Sequence, residues 1–368
     1  MKKVFVFVLC SLFVLFSGCS GNDKKEDEKD IPDLETTDEN DLTADEDVEE
    51  TIDEEDEASD DPEENEEDPD IEEEEITITC ADVVEGRNKG IISGSGDNEL
   101  VRDFFIRFPG NLDSKDRWPV VFIFYGYGDS AVNFENYLKS EVNNSTMPFI
   151  LVTPVARNDL FTFGIPPKGL DWDMIDIADG SAEVDLFDVL LDCIDTRWGV
   201  DEERVYLSGF SAGAIAANSV ALMRSEVIAS VFTYSGAYFS NPDARDGLGE
   251  VMGMKVGDFF SWADFEEDHN KYPQVLISGD TGKDTWSASG FNIDFNEMAG
   301  YDSDYLVSLG HDVVLCNHGG GHSMSGLSKK DAVKFFYEHP RGTTESPYRD
   351  GLPEGWSDIC QFMEGSAE

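Results

Sequence analysis

The chain reads as an α/β protein with a mainly parallel central sheet flanked by helices. Two observations predict this. Apolar and β-branched blocks recur from residue 104 onward at Phe104–Phe108, Val120–Tyr125, Phe149–Thr153, Val205–Ser208, Val231–Tyr234, Val275–Ser278 and Val313–Cys316. Several are solid runs, as parallel strands covered on both faces require. Helical patterns fall between them at Asp185–Trp198, Ala212–Met223, Ile293–Leu309 and Ser328–Glu338. In the first of these Leu186, Val189, Leu190, Cys193 and Ile194 share one side. Strand–helix alternation builds a parallel sheet, and chemistry gathers at the carboxyl ends of its strands.

What precedes this pattern is of another kind. Met1-Lys2-Lys3 is a short basic start, and Val4 to Phe16 is almost wholly apolar. Such a run fits a signal-peptide core and is too short for an ordinary membrane-spanning helix. It ends in Phe16-Ser17-Gly18-Cys19, which resembles a bacterial lipoprotein cleavage site with Cys19 as the lipidated residue. Residues 1–18 are therefore expected to be a signal peptide. Ser20 follows where Asp would favour inner-membrane retention, so the expected location is the cell envelope, at the outer membrane or cell surface.

Residues 22–75 hold 32 of the 79 acidic residues and three lysines, so −29 of the net charge of −53 lies there. Almost no large apolar side chain interrupts them, and such a stretch cannot bury enough surface to offset the entropy of ordering. Residues 19–75 are expected to be a disordered acidic linker, extended by self-repulsion, its 22–75 stretch with an upper reach on the order of 180 Å. No EF-hand loop pattern occurs in it. Residues 76–368 form the expected folded domain, still acidic at −26. That charge argues against nucleic acid and anionic headgroups as partners and leaves a lipid anchor as the only expected membrane contact.

Cys80, Cys193, Cys316 and Cys360 lie in the folded part. An even number in an exported chain points to two disulfides, with three pairings open. Cys80–Cys193 and Cys316–Cys360 are expected, since the second ties the C-terminal tail to the region of a histidine-rich loop. No pair shows C-x-x-C spacing, so neither a metal nor a redox cofactor is expected.

The strongest chemical signal is Gly209-Phe210-Ser211-Ala212-Gly213, which follows the strand Arg204-Val205-Tyr206-Leu207-Ser208 and opens an Ala-rich helix. In that context G-x-S-x-G forms a sharp turn, with small neighbours, that projects a serine hydroxyl beside a helix N-terminus. A serine hydroxyl needs a base. Five histidines exist, and Cys316-Asn317-His318-Gly319-Gly320-Gly321-His322 follows the last core strand, where that base belongs. His322 is favoured over His318 because the glycines can return it over the sheet edge. The acid should follow the preceding strand, where Asp280 and Asp284 stand. Asp284 is favoured because it lies farther along the loop, beside Trp286, whose ring would cover the pair. An oxyanion hole needs two backbone donors, expected from Ala212 and from Tyr127 in the loop Gly126-Tyr127-Gly128-Asp129-Ser130. Substrate contacts are expected from the loops 155–180 and 238–272, which carry Phe161, Phe163, Trp172, Tyr238, Phe259, Phe260 and Trp262. Trp172 and Trp286 are the substrate-binding candidates.

From about Asp97 to Tyr337 these pieces resemble the polyhydroxybutyrate-depolymerase and feruloyl/acetylxylan-esterase group of α/β-hydrolases. The resemblance rests on Asp185-Leu186-Phe187-Asp188-Val189, on Val200-Asp201-Glu202-Glu203-Arg204-Val205-Tyr206 leading into the Ser211 turn, and on Gly321-His322. It implies the α/β-hydrolase fold, with Ser211 as nucleophile, Asp284 as acid and His322 as base. It also implies ester hydrolysis through an acyl-enzyme without a cofactor, on an ester substrate that can be polymeric, by a monomer. Two departures stand out: Tyr125-Gly126 replaces the family's His-Gly after the oxyanion strand, and Ala214 replaces a second Gly after the turn. A peptidase of the same fold and a non-catalytic surface protein are the competing readings.

Overall fold

The computed structural model describes residues 80–93, 100–156, 172–288, 291–343 and 345–366. The chain divides into two units, Met1–Glu74 and Glu75–Glu368. The first lies outside the described residues, and with it the leader, Cys19 and the acidic stretch; Phe161 and Phe163 lie outside them too.

In the second unit the elements run β1 (Gly86–Ser93), β2 (Leu100–Arg107), β3 (Trp118–Phe124), α1 (Ala131–Lys139), β4 (Ile150–Pro154), α2 (Ala182–Trp198), β5 (Val200–Phe210), α3 (Ala212–Met223) and β6 (Ser230–Tyr234). There follow α4 (Pro242–Gly247), β7 (Glu250–Val251), β8 (Met254–Lys255), β9 (Gln274–Ser278), β10 (Thr285–Ala288), β11 (Phe291–Asp294), α5 (Phe295–Ser308), β12 (Val313–Asn317), α6 (Lys329–Glu338) and β13 (Cys360–Met363).

Nine strands form one sheet in the order β1-β2-β4-β3-β5-β6-β9-β12-β13. The six from β4 to β12 are parallel, while β1, β2 and β13 join antiparallel at the edges. This is the α/β-hydrolase fold. The solid apolar blocks occupy the parallel strands: every residue of β3, β4, β6 and β9 is buried. An Ala-rich α3 packs against β5, and its residues Ala212 to Leu222 are all buried. Small side chains let that helix approach the sheet closely.

Several elements differ from the sequence expectation. Ile293 belongs to β11, and the helix expected to begin there starts at Phe295, capped by Asp294, whose side chain accepts from Asn296 N and Glu297 N. Cross-strand pairing of Trp286 with Ile293 makes β10–β11 a hairpin that outcompetes the helix. The edge strands β1 and β13 carry no solid apolar block, and no residue of β13 is fully buried.

Cys80 is joined to Cys193 on α2, and Cys316 on β12 to Cys360 on β13. Cys316 and Cys360 stand directly opposite in the β12–β13 register. In a chain-entropy account a loop of 44 residues closed this way stabilises the fold by about 4 kcal/mol.

Candidate active site

Five strand ends converge on one place. β5 ends at Phe210 and α3 begins at Ala212, leaving Ser211 alone in the turn with φ 55° and ψ −126°. A non-glycine residue in this region is strained by roughly 1–3 kcal/mol and persists only where its surroundings impose it. They do so here. A Cβ on Gly213 would lie 2.3 Å from Tyr125 O, and one on Gly209 2.5 Å from Gly213 O, so neither position admits a side chain. Ser211 N donates to Tyr234 O of β6 at 2.9 Å, which pins the turn to its neighbour strand.

The loop after β12 returns His322 over this turn. Its Nε2 lies 2.9 Å from Ser211 Oγ and its Nδ1 lies 2.7 Å from Asp284 Oδ1. A carboxylate accepts only, so Nδ1 carries the proton and Nε2 is left to accept from the serine hydroxyl. The imidazole is held between two phenyl rings, Phe295 stacked at 4.7 Å and Phe210 tilted at 4.6 Å. Phe295 is itself fixed by its N–H, which donates to Asp284 O at 2.9 Å.

Asp284 is fully buried. Its second oxygen accepts from Gly279 N at 2.7 Å and from Ser235 Oγ at 2.9 Å. Burial pushes the Asp284 carboxyl up, but hydrogen bonds from His322, Gly279 and Ser235 together outweigh it and hold the group below its ordinary value. Asp280, four residues earlier, is only partly buried and is paired with Lys283 at 2.7 Å. The structure thus brings Asp284, and not Asp280, to His322. His318 turns back on its own loop, where Nδ1 accepts from Gly320 N at 3.2 Å.

The expected oxyanion donors flank the serine. Ala212 opens α3, so its N–H is among those a helix cannot use itself. Tyr127 follows Gly126, and a Cβ on Gly126 would lie 2.9 Å from Phe210 Cδ1 and 3.3 Å from Ser211 Cβ. This glycine brings the 126–127 peptide against the turn. Tyr125 has a structural use: its hydroxyl accepts from Ala156 N at 2.8 Å and its carbonyl accepts from Trp172 Nε1 at 2.8 Å.

That last contact corrects the reading of Trp172. The side chain is buried at 1% exposure, with its ring 4.9 Å from that of Tyr125 and 5.3 Å from that of Phe124. Its indole serves the loop after β3 and presents no face to the cleft. Trp286, by contrast, lines the cleft beside Ser211, edge-on to Tyr127 at 6.1 Å. Phe239, Phe260, Met174 and Ile215 complete an apolar wall. Of the other aromatics in loop 238–272, Tyr238 and Trp262 are buried behind it, bonded to Gln274 Oε1 and Met174 O respectively. Among the described residues no three His, Cys, Asp or Glu side chains are gathered to hold a metal.

Sequence reasoning passed over Ser235, Phe210 and Phe295. Ser235 carried a signal, since Ser235-Gly236 directly follows an apolar strand on the carboxyl side of the sheet. The two phenylalanines carried none, because an aromatic in an apolar run looks like core.

Residues 113–252 match the family model described as Phospholipase/Carboxylesterase. An oxidized polyvinyl alcohol hydrolase of Sphingopyxis sp. (strain 113P3) is 24% identical over 203 residues, 49% of this chain and 54% of that protein. Feruloyl esterase B of Talaromyces stipitatus is 25% identical over 221 residues, 56% of this chain and 58% of that protein. The chain thus spans a little over half the length of the curated relatives it matches. Among solved structures, one described as native pOPH superposes with a TM-score of 0.56 at 18% identity, covering 79% of this chain and 97% of that one. With the sheet order, these matches give the chain the α/β-hydrolase fold and make it similar to esterases.

Proposed function

We propose that this α/β-hydrolase is a serine carboxylesterase, with Ser211 as nucleophile, His322 as general base and acid, and Asp284 as the group that orients and stabilises the imidazole. The observation that carries the reading is the unbroken chain of contacts Ser211–His322–Asp284, at 2.9 and 2.7 Å, on a serine held at positive φ. In the reaction Ser211 Oγ attacks the ester carbonyl while His322 Nε2 takes its proton. The buried Asp284 carboxylate stabilises the imidazolium so formed. The Ala212 and Tyr127 N–H groups receive the developing oxyanion. Collapse expels the alcohol, protonated by His322, and leaves an acyl-serine that water hydrolyses by the same steps in reverse. No step calls on a cofactor.

The cleft supports an ester with an apolar acyl part. Feruloyl or acetyl esters of polysaccharide and polyhydroxyalkanoate-type polyesters are the substrate classes proposed, in keeping with relatives named as a feruloyl esterase and an oxidized polyvinyl alcohol hydrolase. Delivery to such polymers fits a monomer lipidated at Cys19 on the outer cell envelope, with residues 19–75 as the spacer and residues 76–368 as the catalytic domain. The two disulfides support an oxidising, extracytoplasmic setting.

The test is labelling of the purified protein with a fluorophosphonate, the adduct mapped by mass spectrometry. An adduct on Ser211 that is lost in His322→Ala is expected. A folded protein that takes no label would overturn the reading in favour of a non-catalytic surface protein.

A further inference from the structure

Among the described residues only three non-glycine positions have positive φ: Ser211, Ser235 and Met252. Met252 sits with Gly253 in the two-residue turn between β7 and β8, where hairpins need that conformation. Ser235 has no such reason. It lies at the carboxyl end of β6, 1% exposed, with φ 51°, and its N–H continues the sheet by donating to Ile277 O at 2.7 Å. The unusual backbone turns its hydroxyl away from the strand line and onto Asp284 Oδ2 at 2.9 Å. The residue before it, Tyr234, accepts the Ser211 N–H at 2.9 Å. One dipeptide at the end of β6 therefore grips both the nucleophile's backbone and the acid's side chain.

We propose that Ser235 is a positioning residue: its hydroxyl, together with Gly279 N–H, occupies Asp284 Oδ2 and leaves Oδ1 alone to orient His322. This rests on the serine-esterase reading for its catalytic consequence, but not for its structural one. The carboxylate is buried, so bulk water does not solvate it when a donor is lost. Without the hydroxyl, more of the negative charge falls on Oδ1, and a proton on the Asp284–His322 pair is held more tightly. Ser235 moves no proton itself; it sets where the existing pair titrates.

The test compares the wild-type protein with Ser235→Gly and Ser235→Ala. Glycine takes the positive φ freely, so this variant removes the hydroxyl while keeping the turn even if the alanine variant fails to fold. The His322 Cε1–H resonance is followed by NMR against pH, a readout that needs no activity. An upward shift of about one unit is expected in Ser235→Gly. With p-nitrophenyl acetate, the acid limb of kcat/KM moves up by the same amount and kcat falls roughly tenfold while KM holds. An unchanged His322 titration in folded Ser235→Gly overturns the proposal. Wild-type protein with neither turnover nor label on Ser211 overturns the esterase reading instead, and the titration still decides the role of Ser235.

Discussion

The two ends of β12 lead to the same side chain in opposite surroundings. At its carboxyl end His322, partly exposed, bridges Asp284 and Ser211. At its amino end His311 is fully buried, 2.8 Å through Nε2 from His269 Nε2 and 2.8 Å through Nδ1 from Tyr272 O. Phe265 covers both rings of that pair, and Lys271 Nζ lies 3.0 Å from His269 Nδ1. Burial pushes His311 down to about 3, and His269 also falls below its ordinary value through burial. An imidazole held neutral that far is a packing and hydrogen-bonding group. The two imidazoles differ in their partners: His322 has a buried carboxylate on one nitrogen and a serine hydroxyl on the other, His311 a second imidazole and a backbone carbonyl.

The largest effect that would break this contrast is at the carboxyl end. Ser211→Ala and His322→Ala should each lower ester turnover by about 10⁴-fold, whereas His311→Asn should leave turnover per folded molecule unchanged. Steady-state kinetics on a p-nitrophenyl ester compare all three, and comparable losses in His311→Asn would dissolve the distinction. Next comes the choice of acid. Asp284→Asn should cost on the order of 10³–10⁴-fold, because the imidazole loses the acceptor that sets its tautomer. Asp280→Asn removes a pairing with Lys283 away from His322 and should change kcat less than twofold. The reverse ranking would move the acid to Asp280.

A smaller effect sharpens the amino-end side. His311, with a folded value of about 3, and His339, pushed down by burial to about 4, both lie below their ordinary 6.5. Between those values and 6.5 the unfolded chain binds protons the folded one refuses, so stability falls as pH drops through that window and is flat above it. From pH 7.5 to pH 5 the loss should be on the order of 2 kcal/mol for each histidine. Urea unfolding at the two pH values measures it, and His339→Gln should remove about half the loss. A slope unaffected by that variant would mean the buried imidazoles do not set it.

Much of this arrangement is legible in the sequence. The Ser211 turn could be read because its determinants are local: two glycines, a preceding strand and a following Ala-rich helix within twenty residues. The parallel core strands were legible because burial on both faces leaves solid apolar blocks. Asp284 against Asp280 was a matter of preference, since both follow the same strand within one loop and spacing alone cannot say which is buried. Ile293 shows the opposite error, where a local helical pattern lost to a cross-strand partner. Trp172 shows another: an aromatic in a long loop is equally a ligand platform or a loop anchor until its indole N–H has an acceptor.

What the sequence by itself determined is the α/β layering, the place of the Ser211 turn and the residue types that meet there, all of them consequences of short-range pattern. Tertiary structure alone decided which carboxylate is dry, which rings clamp His322, and that Ser235 reaches Asp284 across 49 positions. Those are contacts between strand ends far apart in the chain. Burial and hydrogen-bond geometry there follow from how the sheet assembles, and no local window of residues contains them.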